Sequence, residues 1–195
     1  MCMNIKTVAK IGLFICFMYF IIVALLIKFS NDITMLFMDI ITMLSGIYMV
    51  LFIITLPVYK NYKQYIFRFL SIIFVATCML LTNMVHWVNI IAIKPLIVNG
   101  TNIPKYFLIG TWPSVLMAID YLAWGLFMGL AFIFSGFFIT LSIKLKYFLW
   151  LCGCLCLIGF LGVIVNENIW YVAPFGYGIG TAIMCIKLLL VKHEN

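Results

Sequence analysis

Apolar residues run along this chain in six long blocks, and the polar positions fall mainly in the short gaps between them. The blocks cover roughly 10–28, 33–58, 66–93, 112–143, 147–165 and 169–191. An α-helix needs about 20 apolar residues to cross a bilayer, and a barrel strand about 10 that alternate apolar with polar. These blocks are long and continuous, so they predict helices. Helices also satisfy every backbone group within one segment, as lipid demands. The predicted fold class is an all-α integral membrane protein, a bundle of six transmembrane helices forming a single membrane domain over residues 1–195.

The gaps carry turn and interface signals. Lys28 to Asp32 separates the first two blocks. The first block looks like the apolar part of a secretory signal, but no small-residue cleavage site follows, so it is read as an uncleaved span. Pro57 closes the second block. Tyr59-Lys60-Asn61-Tyr62-Lys63-Gln64-Tyr65 then alternates amines and aromatic rings, which suits the headgroup layer. Lys94-Pro95 is read as the end of the third block. The longest loop follows, with turn signals at Asn99-Gly100 and Pro104. Asn99-Gly100-Thr101 fits the glycosylation sequon, which has meaning only in a eukaryotic secretory pathway. Thr111-Trp112-Pro113-Ser114 reads as the start of the fourth helix, with proline in its first turn. That helix, running to about residue 143, is long enough to require tilt. Lys144 and Lys146 form the next turn, Asn166-Glu167-Asn168 the last, and Lys192-His193-Glu194-Asn195 a polar tail.

Composition agrees with the pattern. The chain is 67% apolar and 9% charged, against roughly 45–50% and about 25% in soluble domains. The net charge of +7 does not point to nucleic acid, because the cations are scattered at block ends. Six spans put both termini on one side. That side holds nine cations, Lys6, Lys10, Lys60, Lys63, Arg68, Lys144, Lys146, Lys187 and Lys192; the other holds three, Lys28, Lys94 and Lys105. The positive-inside bias predicts cytoplasmic termini. Eleven lysines against one arginine, with abundant Ile and Asn, hint at an AT-rich genome and a bacterial plasma membrane. The seven cysteines form no disulfide framework or zinc knuckle. Cys152 and Cys156 share a helix face and Cys154 lies nearly opposite.

Polar groups inside the blocks carry the candidate chemistry. The stretch Thr82 to Asn89 holds His86 between Asn83 and Asn89, and Asp39 and Asp120 lie in the neighbouring blocks. At 1.5 Å per residue, Asp39, His86 and Asp120 sit about 9, 12 and 10 Å below the same membrane face. An ionised Asp at membrane depth costs about 2.5–3.5 kcal/mol on insertion scales, and a shared wet site lowers that cost. These positions predict one polar cavity below the outer face. Asp39, His86, Asp120, Asn83 and Asn89 would be its ligand-binding or proton-linked groups, and Trp87, Tyr121 and Trp124 its walls. Each also has a structural reading: His86 bonded to a carbonyl, the asparagines as interhelical glue, Asp39 reaching to the interface.

Gly125/Gly129 and Gly176/Gly180 are close-packing pairs, as compatible with a homo-oligomer or membrane partner as with internal packing. Asp120 lies about 140° around the helix from Gly125, so acid and seam should face different neighbours.

Three functions follow. The first is binding or translocation of a small polar or cationic solute or a proton, although no inverted repeat is visible. The second is an intramembrane enzyme, hydrolase-like, using His86 with Asp39 and Asp120 as acid/base groups or metal ligands. There is no Gly-x-Ser-x-Gly or His-Glu-x-x-His. Phe134-Ser135-Gly136 resembles part of the rhomboid protease serine motif but lacks its first glycine. The third is a non-catalytic partner subunit, immunity factor or sensor. No cofactor or metal is assigned; the surrounding partner is the lipid bilayer.

Overall fold

The computed structural model describes residues 4–29, 31–58 and 61–190. Six helices in it are long and apolar enough to cross a membrane: α1 Ile5–Lys28, α2 Asp32–Thr55, α3 Tyr62–Val98, α4 Val115–Phe138, α5 Ile143–Gly162 and α6 Glu167–Leu190. Each span packs on its neighbours in sequence, and α6 returns to α1, closing a ring. The molecule is thus a multi-pass helical membrane bundle. Tyr59-Lys60 and the tail Lys192 to Asn195 lie outside the described residues.

The starts of the spans are set by local chemistry. Asn4, Asn31, Asn61, Ser114, Ser142 and Asn166 each accept a backbone N–H from the first turn of the helix that follows. These caps satisfy donors that a helix start leaves orphaned. Asn31 and Thr34 complete a reciprocal capping box, which holds the tight α1–α2 turn.

Several boundaries differ from the sequence reading; among them, α1 begins at Ile5 and α3 at Tyr62, so Tyr62-Lys63-Gln64-Tyr65 belongs to a helix and not to a gap. Helix α3 does not end at Lys94-Pro95 but continues to Val98. Proline lacks an N–H and its ring crowds the carbonyl four residues back, here Ile91. A π turn over Asn89–Ile93 widens the helix just ahead, with the Lys94 N–H bonded to the Asn89 carbonyl, and the chain passes through without a break. Helix α4 starts after Pro113, at the Ser114 cap, and stops at Phe138. Ile139 then forms an isolated antiparallel bridge with Val58. At 24 residues α4 needs no special tilt. Helix α5 accordingly begins at Ile143 and takes Lys144 and Lys146 into its first turn.

The two halves of the bundle are packed differently. Toward the described chain ends the interior is filled by Phe52, Ile53, Phe132, Phe138, Leu149 and Leu188, among others, all fully buried. The Ser71 and Ser135 hydroxyls lie 2.8 Å apart there, and Ser71 also donates to the Ala131 carbonyl. Toward the opposite face a separate, smaller cluster, Val85, Ile93 and Leu116, is buried under Ile103, Leu108 and Ile109 of the long loop. The glycine seams work within the chain. A Cβ on Gly125 would strike Phe160 and the Trp170 ring; one on Gly129 would meet Gly153 and Leu157; ones on Gly176 and Gly180 would meet Cys152. Both pairs therefore seat against α5 or the α6 start, and the oligomer reading of these faces has no free seam to use. Cys152 and Cys156 are buried and Cys154 is exposed, as the face assignment predicts. Large side chains such as Phe14, Phe17, Phe69, Leu80 and Leu151 stand exposed around the outside, where lipid is their solvent.

Candidate functional site

Asp39, His86 and Asp120 meet in the loosely packed half, as their estimated depths require. Helix α3 supplies nearly everything that holds Asp39. The His86 Nδ1 lies 2.8 Å from one carboxylate oxygen, and the Asn89 amide donates to both oxygens at 3.2 and 3.0 Å. The Lys94 ammonium donates to the second oxygen at 2.5 Å. Asp39 is only 3% exposed, so it does not reach to the interface. It is a buried carboxylate with an opposite charge and three hydrogen-bonding partners, the condition under which burial of an ion is tolerated.

Lys94 is the member that the sequence reading misses. Taken as the end of a helix, it counts among the loop cations. The π turn instead carries it on, five residues past Asn89 and bonded back to that residue's carbonyl, so that both side chains reach the same carboxylate. A signal is present: the apolar run resumes after Pro95 as Leu96-Ile97-Val98, so lipid-facing helix is still available there.

The second half of the cluster is less complete. With Nδ1–H donated to Asp39, the imidazole turns Nε2 toward Asp120, 3.9 Å from its oxygen. That is beyond hydrogen-bond reach. His86 Nε2, Asp120 Oδ1 and the indole Nε1 of Trp124 are all buried without a hydrogen-bond partner. His86 and Trp124 are 6% and 4% exposed. Lone buried polar atoms are uncommon and call for an explanation. All three residues line one cavity of about 690 Å³, the size class of small-molecule sites. The cavity continues past Tyr19, Thr42, Tyr48 and Thr181 and reaches exposed Asp32, Val98 and Gly110 at the loop end.

Of the other candidates, Asn89 lines the cavity, and Asn83 does not. Asn83 is half-buried, and its side-chain oxygen has no partner; it flanks His86 on the side away from Asn89, about 120° round the helix from that residue. Trp87 is a correction. It is 56% exposed and points to lipid, being one step round the helix from His86. Tyr121 is buried but stands behind the wall, stacked between Trp112 and Trp170 at 5.4 and 4.1 Å. Trp170 and Trp124 form the aromatic wall itself. Asp120 faces His86 while Gly125 faces Phe160, so acid and seam do have different neighbours.

The metal-ligand alternative does not match this arrangement. His86 lies between the carboxylates, one at each ring nitrogen, so the three groups do not converge on a point. Among the described residues no cluster of three His, Cys, Asp or Glu side chains could hold a metal ion. No protein-family model, curated protein or solved structure matches the chain.

Proposed function

We propose that the protein binds or translocates a small cationic or polar solute, or a proton, at the Asp39–His86–Asp120 layer. One observation carries this reading. Lys94 matches the charge of Asp39, whereas the imidazole is the one basic group paired with Asp120 among the described residues. Two carboxylates here face one lysine and one shared imidazole, beside three polar atoms without partners. An ammonium or hydroxyl between them can donate to Asp120 and to His86 Nε2. A hydroxyl can also accept from the Trp124 indole. The cost of a buried carboxylate is then met by the ligand, as expected of ionisable groups kept at membrane depth.

The whole chain is read as one membrane domain in a bacterial plasma membrane. Moving Lys94 out of the loop count leaves Lys28 and Lys105 on the cavity side, which strengthens the charge asymmetry. It supports cytoplasmic termini and a cavity facing outward. Asp32 at its mouth would draw cations in. Test: purified protein in nanodiscs is titrated with methylammonium and butylammonium, and proteoliposomes are assayed for their flux and for proton flux. Asp120→Asn should abolish binding and flux. Native protein that neither binds the amines nor conducts protons ends this reading.

A second reading has one observation in its favour. A histidine held at Nδ1 by a carboxylate, with Nε2 free toward a cavity, has the layout of a general base. Hydrolysis of an ester or amide by native protein, lost in His86→Gln, would favour it.

A further inference from the structure

We infer that the occupant of this cavity is a single-chain amphiphile with a cationic amine head, entering sideways from the bilayer between α1 and α6. This rests on the cation reading above and names its substrate class. Apart from the polar cluster, the walls are chiefly hydrocarbon: Ile15, Val23 and Leu26 of α1, Met35 and Met38 of α2. A small hydrated ion gains nothing from such walls, whereas an alkyl chain is at home against them.

The way in is visible in the packing. Helix α6 packs on α1 chiefly along Gly180–Leu190 and only sparsely over Glu167–Ile179. There α6 is not regular: a 3₁₀ turn over Glu167–Val172, Pro174, and a π turn over Phe175–Ile179. Phe20 of α1 and Phe175 and Ile179 of α6 line the cavity and are also exposed. They are the two lips of a slot. Phe20 is eight residues from Lys28 and Asp39 seven from Asp32, depths of about 12 and 10 Å. The slot therefore opens at the level of the polar cluster. Gly178 stands in it: it lines the cavity, and a Cβ built there meets nothing within 4 Å. A head at Asp120 and His86 can leave its tail in this slot and among the lipid chains beyond.

The test uses saturable binding of radiolabelled dodecylamine and butylamine to protein in nanodiscs, with dodecanoic acid as competitor. Dodecylamine should bind about tenfold or more tighter than butylamine, because its longer chain is withdrawn from water. Dodecanoic acid should not compete. Gly178→Phe fills the slot and should weaken dodecylamine about tenfold while sparing butylamine, whose retained binding also shows that the variant folds; Gly178→Ala should bind like the native protein. Equal binding of the two amines, or equal loss of both in Gly178→Phe, overturns the lateral-entry inference and leaves the cation site standing. Absence of both from the native protein removes the cation site itself.

Discussion

Replacing Lys94 by Met tests the central electrostatic claim. The substitution keeps the length and apolar stem of the side chain and removes its charge. Asp39, 3% exposed, would keep His86 and Asn89 but lose its counter-ion. Removing one partner of a fully buried pair costs roughly 3–5 kcal/mol. The Lys94 side chain is 22% exposed, so the low end applies, about 3 kcal/mol. For a chain of this size each kcal/mol shifts the melting midpoint by about 2–4 °C, so the loss should be about 6–12 °C. The assay is thermal unfolding of purified protein, followed by circular dichroism, for Lys94→Met, Asp39→Asn and the double variant. Asp39→Asn should cost less, because Lys94 is already partly exposed and can turn outward. The double variant should recover most of the Lys94→Met loss, because no unpaired charge remains and the introduced side-chain amide still faces that of Asn89. A Lys94→Met midpoint within about 2 °C of native, or a double variant that loses the sum of the single losses, would show that the pair does not hold these helices together.

Gly176→Ala would drive a Cβ into the Cys152 carbonyl oxygen and should destabilise by about 1–3 kcal/mol; Gly178→Ala, with open space around it, should be neutral or stabilise by up to about 1 kcal/mol, and parallel melts compare the two. Trp124→Phe should weaken binding of ethanolamine, whose hydroxyl can accept from the indole, about fivefold to tenfold, while Trp87→Phe and Asn83→Ala leave it unchanged; titration of all three variants checks that only the cavity-lining residue matters.

The bundle itself was legible in the chain because the bilayer constrains it so strongly. Continuous apolar blocks can only be helices there, and their lengths match the membrane. Depth was legible too, since position along a helix follows from counting at a constant rise. That is why Asp39, His86 and Asp120 could be placed in one layer before any contact was known. Facing was a harder quantity. Trp87 is next to His86 in sequence yet points to lipid, and Tyr121 adjoins Asp120 yet stands behind the wall. Adjacent residues on a helix differ by about 100°, so a small error of phase exchanges cavity for lipid.

Sequence alone therefore determined how many long apolar helices the chain forms, and that Asp39, His86 and Asp120 belong to one layer of the bundle. Tertiary structure decided which of them touch. The π turn at Asn89–Ile93 lets α3 run through Pro95 and brings Lys94 to Asp39, and the start of α6 is wound as 3₁₀ and π turns instead of regular helix. Both depend on which backbone hydrogen bond wins at a widened turn. That choice is made by the packing of neighbouring helices, and the apolar residues spelling it out look the same either way.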